Sequence, residues 1–152
     1  MATIETVRFT GGSILEQTNV SDTVGAGERN EKSDVILIQA LCKLVGFSTY
    51  TAARFFGLRP ADLPEPTGTC DNRTIRAIWG FQHRMMHRLL RVDGKVHPGS
   101  YKNRVIQAAG PRMTITLLND HAPDGAIFVY NTNVIPALQK IAPHLVLARV
   151  AP

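Results

Sequence analysis

The stretch TCDNRTIRAIWGFQHRMMHRLL, Thr69 to Leu90, decides how this chain is read. Asp71 is placed to cap a helix that begins near Arg73. Ile75, Ile78, Phe81, Gln82, Met85 and Leu89 recur at three- and four-residue steps, the inner stripe of an amphipathic helix. Arg73, Arg76, His83, Arg84, His87 and Arg91 fall mainly outside that stripe. One long basic helix is expected, with Trp79 in its middle. It suits a nucleic-acid reader, a metal-binding helix, or half the core of a module that binds another polymer.

The metal reading is the weakest. His83 and His87 stand four apart, but a zincin needs Glu directly after the first His, and Arg84 is there instead. A cation beside a metal opposes its binding. No Cys/His spacing resembles a zinc site, so neither a metal nor a cofactor is expected. No GxSxG elbow or motif-like Cys is present, and no set of residues is assigned a catalytic role. Asp71 and Asp93 read as cap and turn residues. The chain is read as a non-enzyme.

Outside the basic stretch, the chain has 152 residues, 44% of them hydrophobic, enough to bury a core. No apolar run reaches the roughly 18 residues that span a bilayer, so no membrane partner is expected. The N-terminus MATIETVRFTGGS lacks a basic start followed by an apolar stretch. Synthesis as a cytoplasmic protein is expected, with action at the cell wall or periplasm if a non-classical route delivers it. The net charge of +5 favours anionic partners. From Arg73 to Arg104, eight Lys or Arg stand against a single acid, Asp93. Cys42 and Cys70 make no disulfide framework; buried free thiols are expected, with a single bridge as the alternative.

Along the chain, Thr3 to Phe9 alternates as a short strand and GGS at Gly11 to Ser13 breaks it. GAG at Gly25 to Gly27 reads as a turn, not a phosphate loop. Ser33-Asp34 offers a cap for the helix VILIQALCKLV, and Gly46 stops it. Gln39 beside its apolar stripe is expected to tie a neighbouring loop. Phe47 to Phe56 reads as a second short helix, and RPADLPEPTG as a proline-rich connection. After the turn VDGKVHPGS, a helix is expected over Tyr101 to Ala108. MTITLLN and AIFVYN read as strands around the turn HAPDG, Asn133 to Ile141 as a helix, and LVLARV as a last strand.

Three pieces in order carry a resemblance: TVGAGERNEKSDVILIQALC, then GTCDNRTIRAIWGFQ, then DGKVHPGS. Together they resemble the peptidoglycan-binding-like domain of wall hydrolases and endolysins, over about Val24 to Ala109. The resemblance implies a mainly α fold: a three-helix bundle over residues 24–110, with 1–23 and 111–152 flanking it as a small added β-containing lobe. Val35, Ile38 and Leu41 would pack on Ile75, Ile78 and Phe81. Gln39 and Gln82 would bond loop backbone. The implied function is non-catalytic binding of peptidoglycan or muropeptide, or targeting to it. Trp79 or Tyr101 would meet a sugar or lactyl-peptide face, and Arg73, Arg76 or Lys95 the stem-peptide carboxylates. The alternative is a protein–protein adaptor linked to a phage or contractile secretion system, partnered by a wall hydrolase or secretion protein. Nucleic-acid binding through the basic helix ranks below both, because the inner stripe is apolar and no nucleic-acid motif accompanies it.

Overall fold

The apolar run VILIQALC winds into a helix buried on nearly every side, and the other elements assemble about it. The computed structural model describes residues 1–107, 109–122 and 134–151. In chain order these form strands β1 (Thr3–Phe9), β2 (Ile14–Asn19) and β3 (Val24–Gly25), then helices α1 (Lys32–Val45), α2 (Thr49–Phe56) and α3 (Asn72–Arg84). Strands β4 (Lys95–Val96) and β5 (Val105–Ile106), helices α4 (Thr114–Asp120) and α5 (Val134–Ile141), and strand β6 (Ala148–Arg149) complete the order. Single 3-10 turns at Pro60–Asp62 and Met86–Arg88 flank α3.

Among the described residues, five α-helices and six strands in two sheets make an α+β fold. The expected mainly-α three-helix bundle is overturned, and each difference has a physical cause. The first is β2, hidden by its polar sequence ILEQTN. Gln17, Thr18 and Asn19 are nonetheless buried, meeting polar groups from distant parts of the chain, Gln17 through its Nε2 alone. Thr18 donates its amide to Asn119 Oδ1 at 2.9 Å, and Asn119 Nδ2 returns a bond to Thr18 O at 2.9 Å. The second is Tyr101 to Ala108, where no helix forms over the described residues. Tyr101 is drawn into an apolar cluster with Val7 and Phe9, and Val105–Ile106 pairs with β1. The third is TITLLND, a helix and not a strand. All of Thr114 to Asn119 is buried, so the run carries neither period, and packing outweighs its β-branched residues. The strand expected at AIFVYN lies outside the described residues.

β1 is the spine of the larger sheet. β2 pairs with it antiparallel from Thr3↔Asn19 to Arg8↔Ile14. β5 and β6 pair with it in parallel, β5 at Arg8↔Val105 and Phe9↔Ile106, β6 at Thr3↔Ala148 and Ile4↔Arg149. The last strand expected at LVLARV thus takes a short form in β6, paired with β1. The second sheet is the two-stranded ladder β3–β4, with Val24↔Val96 and Gly25↔Lys95.

α1 is capped by Glu31, whose carboxylate accepts from the Asp34 amide at 3.1 Å, and not by Ser33-Asp34. Asp34 instead sits buried inside the helix and holds the preceding loop, accepting from the Ser21 and Asp22 amides, each at 2.9 Å. Ser48 caps α2 in a reciprocal box with Thr51, and Gly57 ends it in the left-handed region. α3 packs closely on α2. Gly80 permits the approach, since a Cβ there would strike the Phe56 carbonyl. Val35, Ile38, Leu41, Ile78 and Phe81 all join one core, while Ile75 is half-buried. That core also takes Ala2, Ile4 and Val20 from the start of the chain and Ile115, Leu138 and Leu145 from the end. Apolar packing therefore runs continuously across residues 23/24 and 110/111.

Candidate functional site

Two buried glutamines organise the face that carries the candidate residues. Gln39 of α1 is fully buried. Its Nε2 donates to Thr69 O at 2.9 Å and Thr74 Oγ1 at 3.0 Å, and its Oε1 accepts from the Gly68 amide at 2.9 Å. Asp71 caps α3, accepting from the Thr74 amide at 2.9 Å and its hydroxyl at 2.7 Å. Burial works against the Asp71 charge, but these bonds and the Arg73 charge hold its carboxyl below the usual range. Gln39 therefore fixes the entry into α3, as its position beside the stripe implied.

Gln82 does the same at the other end. It is fully buried, and its Oε1 accepts from the amides of Asp93 at 3.2 Å and Gly94 at 2.7 Å. Its Nε2 donates to Lys95 O at 2.8 Å and Thr114 Oγ1 at 3.0 Å. One side chain thus pins the DG turn to α3 and α4 to both. Gly94 has φ 74°, and a Cβ on it would run into the Trp79 indole. The tryptophan lies against the turn that Gln82 holds.

Trp79 is 38% exposed, and its ring stacks on that of His83 with centroids 5.4 Å apart. His83 Nδ1 lies 2.8 Å from Trp79 O. The single long helix that was expected ends at Arg84, and His87 lies in the 3-10 turn beyond. His83 and His87 consequently do not share a helix. Among the described residues no group of three or more His, Cys, Asp or Glu is placed to hold a metal.

The candidate cations differ in freedom. Arg73 is exposed and donates to Ala61 O at 3.0 Å. Arg76 is exposed, and its charge acts on Asp62. Lys95 is half-buried and engaged with Glu28, whose hydrogen bond and charge push the Lys95 ammonium up. Asp93 joins His97 at 2.7 Å and Arg91 at 3.9 Å. Burial would raise the Asp93 carboxyl, but the His97 hydrogen bond, the Lys95 amide and the charges of His97 and Arg91 leave it lowered. Arg73, Arg76, Trp79 and the Lys95 turn are thus all carried by α3 and the loop fixed to it.

Tyr101 does not join them. It is 4% exposed, packs with Val7 and Phe9, and its hydroxyl lies 2.9 Å from Thr116 Oγ1. Burial pushes its phenol up. Its ring holds β1 to α4 and has no face to offer a ligand. Both cysteines are free thiols: Cys42 is buried and Cys70 half-buried. His97, with Nδ1 3.3 Å from Thr23 Oγ1, was missed in the sequence, although its place four after Asp93 signals a turn-closing pair. No single helix among the described residues is long and apolar enough to cross a membrane. Comparison of the chain with protein-family models, with curated proteins and with solved structures gave no match.

Proposed function

We propose that the chain is a non-catalytic wall-binding module that takes muropeptide on the face of α3 beside the DG turn. One observation carries the reading. The motif residues Gln39, Asp71, Thr74, Gln82 and Gly94 form a hydrogen-bonded and packed frame whose outward product is a half-exposed Trp79 on a basic helix. Such a frame holds an aromatic ring rigidly, so less freedom is lost when a sugar or lactyl-peptide face meets it. Arg76 and Arg73 are the cations nearest to hand for stem-peptide carboxylates. Lys95 contributes less, because Glu28 already takes its charge. Each contact is modest, and retention on a polymer grows by multiple engagement.

The test is a pulldown with purified sacculi freed of nucleic acid. The protein is expected in the pellet at low salt, and Trp79→Ala is expected in the supernatant. Wild-type protein left in the supernatant at low salt sinks the proposal. A second reading, a protein–protein adaptor of a phage or contractile secretion system, draws on Phe47 and Tyr50, which are 46% and 69% exposed at the start of α2.

A further inference from the structure

The segment Arg84 to Arg91, between the end of α3 and the DG turn, sets large apolar side chains beside cations on the surface. Met85 and Leu89 are buried and both enter the main core. These two anchors bracket the 3-10 turn Met86–Arg88, so Met86, His87 and Arg88 project away from that core, and all three are exposed. Leu89 is extended, so Leu90 points opposite to its buried neighbour. Met86 is 53% exposed and Leu90 63%. The backbone holds the segment in place: the Leu90 amide donates to Arg112 O and the Arg112 amide to Arg88 O, each at 2.9 Å. The arginine ion pairs among the described residues use Arg29, Arg59, Arg91, Arg112 and Arg149, and neither Arg84 nor Arg88. Both are exposed, and no Asp or Glu occurs from Asn72 to Val92.

We propose that this segment attaches the protein to the surface of an anionic bilayer, with Met86 and Leu90 at the boundary of headgroups and acyl chains and Arg84 and Arg88 on lipid phosphates. A planar polyanion does not require the guanidiniums to converge on one point. It requires cations and apolar side chains on the outer side of one stretch, and the buried Met85 and Leu89 arrange that for the turn between them. The charge of the segment selects an anionic partner. The two exposed apolar side chains favour a bilayer over nucleic acid, because a phosphate backbone gives them nothing to bury against. A second copy of the chain would set like charges against each other. Guanidinium forks suit phosphate oxygens. A chain without a spanning run can still lie on a bilayer, held by apolar burial and by charge together. The attachment does not depend on the wall-binding reading, which assigns muropeptide contacts to Trp79, Arg73 and Arg76.

The experiment sediments the full chain with vesicles of phosphatidylcholine alone and with vesicles of phosphatidylcholine and phosphatidylglycerol in equal parts, at low salt. The protein is expected to pellet with the mixed vesicles and to stay in the supernatant with phosphatidylcholine alone. Arg84→Gln/Arg88→Gln is expected to weaken the mixed-vesicle affinity roughly 30-fold, about fivefold for each arginine. Met86→Ser/Leu90→Ser is expected to weaken it roughly 10-fold, and Met86→Trp to tighten it. Wild-type protein left in the supernatant with the mixed vesicles overturns the proposal. An affinity unchanged in Met86→Ser/Leu90→Ser, together with equal retention on a DNA duplex, makes the segment a general phosphate binder and overturns the bilayer. A larger loss in Arg73→Gln/Arg76→Gln than in Arg84→Gln/Arg88→Gln overturns the assigned segment.

Discussion

Gln82→Leu removes the side chain that ties the DG turn to the core. The substitution keeps roughly the same volume, so the loss is one of hydrogen bonding. The buried Gly94 amide, bonded at 2.7 Å, and the Lys95 carbonyl, bonded at 2.8 Å, both lose their partner. Each orphaned group costs roughly 1–3 kcal/mol, and the added apolar burial returns about 1 kcal/mol. A net loss of about 1–5 kcal/mol is expected from the balance of these effects. Urea unfolding followed by circular dichroism measures it, provided the slope with urea is unchanged. Trp79 is the only tryptophan, so its emission reports the same event from the Gly94 side. A shift to longer wavelength in the folded variant is expected as the turn lifts from the indole. A loss below about 1 kcal/mol with unshifted emission would refute the reasoning, because the turn would then be held by something other than Gln82.

Two further outcomes are expected. His121 binds fewer protons in the folded chain than in the unfolded one between about 4 and 6.5, so its contribution to stability rises with pH across that window and is lost as pH falls. Relative to His121→Phe, the wild type is expected to lose about 2 kcal/mol between pH 7 and pH 5 by urea titration; parallel pH profiles would count against a neutral buried imidazole. Burial pushes the Cys42 thiol up to about 12, while Cys70 is only half-buried. A disulfide reagent at pH 8 should therefore modify Cys70 more than about 100-fold faster than Cys42, and Cys70→Ser should abolish the fast phase; a fast phase surviving in that variant would contradict the burial.

The legible parts of the fold were those where side chains on one face repeat. α1 and α3 announced themselves by period, Gly46 and Asp71 marked ends, and Gln39 and Gln82 stood out as polar residues on apolar stripes. The length of α3 was overread, since Met85 and Leu89 continue the period in buried positions after the helix has given way to a 3-10 turn. Elements that make polar cores were not legible. β2 buries Gln17, Thr18 and Asn19 against partners that arrive from Asn119, Asp120 and Gly99, up to a hundred positions away. Tyr101 illustrates the same limit at the candidate site: an aromatic after a PG turn suits a ligand platform as well as a core anchor, and only the arrival of Val7 and Phe9 separates the two. For Trp79, Arg73 and Arg76 the sequence carried the helix face, because local periodicity alone places them there.

The amide of Asn119 has a consequence for how this protein behaves in company. By donating to Thr18 O and accepting from Thr18 N, it occupies both main-chain positions that another strand would use beside β2. A neighbouring molecule cannot zip onto the sheet through that point, and the Glu16–Arg149 ion pair puts charges on the stretch that remains. α4 thus closes the β2 edge at Thr18. At that one position an asparagine side chain imitates the strand that would otherwise come next.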